Sequence, residues 1–242
     1  MIAVLIAYIK IRIHLVQLIG LTILMSMLVL SPKDPLEIWL FSMLLLVMSF
    51  MVFRILDDAF SVTIDRKEHP ERTYLIPANF KSFKKITAII IAVYLISIGL
   101  VFSKIYFTLF LLLISSLALY FMFWKQLVVL KLIPLVKYPV LLYAVSMVSS
   151  HEVQLEVSIA SFFLMAGFDS FDRVKSNPNH IWQPLLFLFC GSILLFKPWL
   201  NYIDTLFSLV PLLLIYRIRN KSIVPYFSIA FFPITFFIRT HL

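Results

Sequence analysis

Nine stretches of almost uninterrupted apolar side chains, separated only by short clusters of charge and proline, constrain this chain more than any other feature. They run over 8–31, 37–61, 84–102, 105–124, 127–148, 153–172, 181–197, 202–217 and 222–238. A helix needs about 20 apolar residues to cross the hydrocarbon core of a bilayer. These lengths and spacings therefore predict an all-α, multi-pass chain, a polytopic bundle of nine transmembrane helices. A membrane β-barrel is excluded, because its strands would alternate apolar and polar positions. The composition agrees: 62% of residues are hydrophobic, 14% are charged, and the mean hydropathy is +1.01. Soluble domains carry about 25% charged residues. The N-terminus reads as the first span and not as a signal peptide, because Lys10 and Arg12 follow the apolar start and no small-residue cleavage site appears.

The net charge of +9 sets orientation and does not suggest nucleic-acid binding, because the bases sit on short connections between spans. After the second span come Arg66, Lys67, Arg72, Lys81, Lys84 and Lys85; later even-numbered spans are followed by Lys125, by Arg173 and Lys175, and by Arg217, Arg219 and Lys221. The opposite connections hold Lys33, Lys104 and Lys197, with Arg239 near the C-terminus. The bias predicts a cytoplasmic N-terminus and, with nine spans, an outside C-terminus. The longest connection is expected from Arg66 to Lys85. No Gly- or Ser-rich linker divides the chain, so 1–242 reads as one domain. Cys190 lies mid-span and can form no intrachain disulfide. With only four glycines, a phosphate-binding glycine loop or a Gly-x-Ser-x-Gly elbow is excluded.

Five of the 12 acidic residues gather in two places. The first cluster is Asp57-Asp58-x-x-Ser61-x-x-x-Asp65, and the second is Asp169-x-x-Asp172-x-x-x-Ser176. Positions 58, 61 and 65, like 169, 172 and 176, follow i, i+3, i+7 spacing, so each set shares one face of a helix. Ionisable groups at membrane depth are costly and usually mark a pathway or a site. Both clusters end even-numbered spans and are expected on the cytoplasmic side. Two such carboxylate rows facing each other would suit a divalent cation and an anionic substrate.

These motifs resemble those of the UbiA superfamily of intramembrane prenyltransferases. Its first signature, Asn-Asp-x-x-Asp-x-x-x-Asp with Pro-x-Arg five residues later, is matched here by Asp57-Asp58-x-x-Ser61-x-x-x-Asp65 and Pro70-x-Arg72. Its second, Asp-x-x-Asp-x-x-x-Asp, is matched by Asp169-x-x-Asp172-x-x-x-Ser176. Asp57 stands in place of Asn, while Ser61 and Ser176 each stand in place of Asp, so two positions lose a negative charge. The resemblance implies that Asp57, Asp58, Asp65, Asp169 and Asp172 hold Mg²⁺, with Ser61 and Ser176 at most orienting metal-bound water. Mg²⁺ typically takes one or two carboxylates and fills its octahedron with water and phosphate oxygens. Catalysis would rest on Asp58, Asp65, Asp169 and Asp172. Arg54, Lys67, Arg72, Lys125, Arg173 and Lys175 would complement the diphosphate of an isoprenyl substrate, whose prenyl group passes to a lipophilic or aromatic acceptor.

Other outcomes remain open at this level. A terpene cyclase on the same scaffold would let the chain's own double bond attack, and a transporter of cations or phosphorylated lipids would do no chemistry. Transporters usually place broken, Gly/Pro-interrupted helices at the membrane midplane, whereas these clusters lie at helix ends. Several residues have plainer readings: Asp57 and Asp58 as a helix cap or as partners of Arg54, His69 as a solvated turn residue, Glu152 and Glu156 as solvated groups on the opposite face. Arg12 and His14 in the first span could point to a cavity or mark the interface. Prolines 134, 139, 184, 211, 225 and 233 are expected to kink their spans.

Overall fold

The computed structural model describes residues 2–12, 15–60, 62, 72, 74, 76–101, 110–111, 113–115, 117, 128–149, 154–176, 178–197, 202–217 and 224–241. Among them the chain is all-helical, with no strand. The helices are α1 (Ile2–Arg12), α2 (Leu15–Ser26), α3 (Leu36–Phe60), α4 (Pro77–Val101), α5 (Lys137–Ser149), α6 (Leu155–Ser176), α7 (Trp182–Phe196), α8 (Tyr202–Arg217) and α9 (Val224–His241). Two 3₁₀ segments, Val128–Val136 and Pro178–Ile181, lead into α5 and α7. Most of the fourth expected span, 105–124, lies outside the described residues.

Among the described residues three segments are long and apolar enough to cross a membrane: Leu36–Ala59, Asn79–Leu100 and Leu132–Ser149. A fourth is added if α1 and α2 count together as one bent span. Residues 13 and 14, between α1 and α2, lie outside the described residues. Helix α7 has 15 residues, about 22 Å at 1.5 Å per residue against a hydrocarbon core of about 30 Å. Exposed Leu40, Leu44, Ile89, Ile96 and Leu100 give α3 and α4 apolar outer surfaces, as lipid-facing helices require.

The basic connection after α3 is shorter than the sequence suggests. Pro77 opens α4, so Lys81, Lys84 and Lys85 lie in its first turns. Proline suits a helix start, since its fixed φ is helical and its missing N–H would have no partner there. The Ile76 carbonyl accepts from Asn79 and Phe80. Lys84 Nζ rests over the Phe80 ring at 4.8 Å, a cation–π contact. Similarly, Pro139, Pro184 and Pro225 fall in the first turns of α5, α7 and α9, where proline breaks no hydrogen bond and imposes no kink. Pro211 and Pro233 are interior to α8 and α9.

The chain forms two compact units, one of residues 1–20 and 44–134, the other of 21–43 and 135–242. In the first unit Tyr8, Ile55, Val62, Tyr74 and Phe83 form a buried core. The rings of Tyr8, Tyr74 and Phe83 meet one another with centroids 5.0, 5.1 and 5.2 Å apart. Ser49 Oγ donates to the Leu45 carbonyl at 2.6 Å and lies 2.7 Å from Tyr94 Oη. A serine has one hydroxyl proton, so Tyr94 is the donor in that pair and ties α4 to α3.

In the second unit α6 and α7 approach closely over small residues. A methyl group added at Gly167 would lie 2.8 Å from Leu188 Cγ and Cδ2 and 3.3 Å from the Pro184 carbonyl. One added at Gly191 would lie 2.9 Å from Leu164 Cδ2 and 3.3 Å from the Ala160 carbonyl. Small residues at helix contacts are how membrane helices gain packing without a hydrophobic driving force. Helix α7 ends at Lys197 in the left-handed region (φ 47°), its N–H bonded to the Ile193 carbonyl, and Pro198 follows in sequence. Buried Asp204 of α8 is held by Arg239 of α9 at 3.0 Å.

Several serine hydroxyls are satisfied inside their own helices, whereas the buried hydroxyls of Ser26 and Ser42 have no hydrogen-bond partner among the described residues. Ser149 and Ser170 donate to carbonyls four residues earlier, Val145 and Ala166. Ser161 and Ser192 reach three back, to Ser158 and Phe189.

Candidate functional site

Asp57 and Asp58 lie in the last turn of α3, in the first unit. Adjacent helical residues point about 100° apart, and the two carboxylates have different surroundings. Asp57 is half-buried and Asp58 is fully buried. The Asp58 carboxylate accepts four polar contacts. Tyr8 Oη donates to Oδ2 at 2.8 Å. Arg12 forks onto both oxygens, Nε to Oδ2 at 2.8 Å and Nη2 to Oδ1. Arg54, one turn earlier on α3, brings Nε to 3.6 Å from Oδ2. A bidentate arginine is among the strong hydrogen-bonding partners of a carboxylate, adding geometric specificity to charge.

In the sequence Arg12 is open between a cavity and the interface, and Tyr8 is not singled out; the two are four residues apart and so share a face of α1. The signal was available: a phenol and a guanidinium on one stripe of a helix whose other polar residue is Lys10. Tyr74 completes the surroundings. Burial pushes its phenol above the ordinary value of 10, and the Asp58 charge adds to the push, while Arg12 and Arg72 oppose it. Tyr74 is therefore a neutral phenol at physiological pH. Arg72, half-buried, brings its positive charge close enough to act on Tyr74. The structure thus gathers Arg12 and Arg54 on Asp58 at the end of α3, with Arg72 beside Tyr74. Ser61, Asp65 and Lys67 lie outside the described residues, as does Lys125.

The second cluster belongs to the other unit. Asp169, Asp172, Arg173, Lys175 and Ser176 all fall within α6, so 169, 172 and 176 share one side of a single helix, as their spacing predicts. Asp169 is exposed; the side chains of the other four lie outside the described residues. Gly167, where α6 meets α7, is two residues before Asp169, so the close packing anchors the helix just ahead of the cluster.

The donor set suits Mg²⁺ in type, since carboxylate oxygens are the ligands this hard cation prefers. Asp57 and Asp169 are accessible to solvent, whereas Asp58 is engaged by Arg12. Among the described residues no three His, Cys, Asp or Glu side chains converge on one point. A cleft of about 430 Å³ in the second unit is lined by Lys197, Asp204, Arg239 and His241, and none of the motif carboxylates lines it. No family model, curated protein or solved structure matches this chain.

Proposed function

We propose that the chain is a divergent, UbiA-like intramembrane prenyltransferase that is Mg²⁺-dependent and takes an isoprenyl diphosphate and a lipophilic or aromatic acceptor. One observation carries the reading: two helices, α3 and α6, end in carboxylates at related positions, each with a guanidinium-bearing residue within one turn, Arg54 before Asp58 and Arg173 after Asp172. In this reading the nine helices form one nine-span bundle with the N-terminus and the site on the cytoplasmic side.

Asp57, Asp58, Asp65, Asp169 and Asp172 would hold the metal. Bound Mg²⁺ supplies charge neutralisation of a departing diphosphate. The chain's own residues do the rest. Arg54, Arg72, Lys67, Lys125, Arg173 and Lys175 bind the diphosphate oxygens and orient the ester bond. The neutral phenols Tyr8 and Tyr74 donate hydrogen bonds. The aromatic wall of Tyr8, Tyr74, Phe80 and Phe83 excludes water and offers ring faces to developing positive charge.

The test is diphosphate release from geranyl, farnesyl and geranylgeranyl diphosphate by the purified chain with Mg²⁺. Release that requires an aromatic or lipid acceptor supports transfer. Release without acceptor, with a cyclic hydrocarbon or alcohol formed, identifies a cyclase instead. No release from any of the three refutes both.

A further inference from the structure

Two guanidinium groups converge on one buried carboxylate at the end of α3. Arg12 and Arg54 both meet the Asp58 carboxylate, and the Tyr8 hydroxyl donates to it. Arg12 is the most sequestered of the cations directly on Asp58, its side chain 14% exposed against 43% for Arg54. A guanidinium fork accepts a carboxylate or a phosphate in the same bidentate geometry. Asp58 therefore fills on Arg12 the position that two phosphate oxygens would take.

Resting on the reading of this region as a diphosphate site, we propose that Arg12 is a phosphate-binding residue whose resident counter-ion, Asp58, is displaced by the incoming phosphate group. A sequestered guanidinium without an anion is costly, so Arg12 keeps a partner at every stage and exchanges one for another. Asp58, once released, retains the Tyr8 hydroxyl and has Arg54 within reach. The exchange also selects. A carboxylate brings one negative charge, so a singly charged competitor gains nothing over Asp58, whereas a multiply charged phosphate ester does. No covalent bond changes in this step.

Arg12→Ala and Asp58→Asn break the same ion pair, and the proposal gives them opposite effects on ligand binding. The probes are inorganic diphosphate and farnesyl diphosphate, titrated without metal against the full chain in phosphatidylcholine nanodiscs, with and without phosphatidic acid. Asp58→Asn removes the competitor and should tighten metal-free binding about tenfold, while Arg12→Ala should weaken it about tenfold or more, with Arg12→Lys between. A pair that merely fastened α1 to α3 would move both variants the same way. If the wild type binds farnesyl diphosphate but the two variants shift together or not at all, the Arg12 assignment is overturned while the prenyltransferase reading stands. If Arg12→Ala does not fold, Asp58→Asn decides alone: tightening supports the exchange, and unchanged affinity overturns it. If phosphatidic acid competes through Arg12 while farnesyl diphosphate never binds, with or without Mg²⁺, Arg12 holds a lipid phosphate and the prenyl reading falls. Binding of neither overturns both.

Discussion

Gly167 offers the sharpest test of how α6 is seated. Adding a methyl group there places carbon 2.8 Å from two atoms of Leu188 and 3.3 Å from a backbone carbonyl, where carbon pairs settle at about 3.5–4.0 Å. Leu188 is fully buried and the Pro184 carbonyl belongs to the chain of α7, so neither gives way freely. Overpacking of this kind costs about 1–3 kcal/mol, and replacing a helical glycine by alanine returns about 1 kcal/mol. Gly167→Ala should therefore destabilise by roughly 1 kcal/mol net. Gly20 is the control: nothing lies within 4 Å of its added methyl, so Gly20→Ala should stabilise by up to about 1 kcal/mol. Leu188→Ala alone should cost about 2–5 kcal/mol, yet in the double variant the new methyl enters the space that Leu188 vacates. The two changes should be sub-additive by at least about 1 kcal/mol, measured as a double-variant cycle of denaturant unfolding in detergent micelles. Additivity within about 0.5 kcal/mol would refute the close approach of α6 and α7, and with it the anchoring of the helix that carries Asp169.

Other expectations follow from single contacts. Tyr94→Phe removes a buried donor but leaves Ser49 bonded to Leu45, so unfolding stability should drop by about 0.5–1.5 kcal/mol, and Ser49→Ala in that background should add little. Arg239→Ala removes the guanidinium from the buried Asp204 carboxylate and should cost about 1–2 kcal/mol, discounted from the fully buried case because Arg239 is 46% exposed. Asp204→Asn removes the charge itself and should cost less in the same unfolding assay. Asp58→Ala and Asp169→Ala should each lower Mg²⁺-dependent diphosphate release about 100-fold or more while the protein remains folded by circular dichroism; near-normal release by either would remove that residue from the site.

Most helix positions were legible because apolar runs stop where charge or proline makes continuation costly. The run over 37–61 became Leu36–Phe60, and that over 202–217 became Tyr202–Arg217 with the same bounds. The start of α4 was not legible, since Lys81, Lys84 and Lys85 give it the composition of a loop. Those lysines lie on a turn whose Phe83 faces the core, and long lysine stems can extend away from an apolar surface. Asp57, Asp58 and Arg54 could be named from local spacing. The partners Tyr8 and Arg12 could not be matched to Asp58, because pairing across 50 and 46 residues depends on how helices pack.

The serines change what the polarity of these helices means. Ser161 and Ser170 make α6 appear hydrophilic in a residue count, yet each proton already belongs to a carbonyl of the same helix. Transfer of an unbonded hydroxyl into hydrocarbon would cost about 1–3 kcal/mol, and that cost is largely met before the helix leaves water. To its neighbours α6 behaves as though alanine stood at these places, slightly bulkier and no stickier. Inheritance of alanine at 161 or 170 would thus be nearly silent, while leucine at either would force the buried helix face apart. The hydroxyl is accommodated here for its smallness, and the packing at these positions is set by volume.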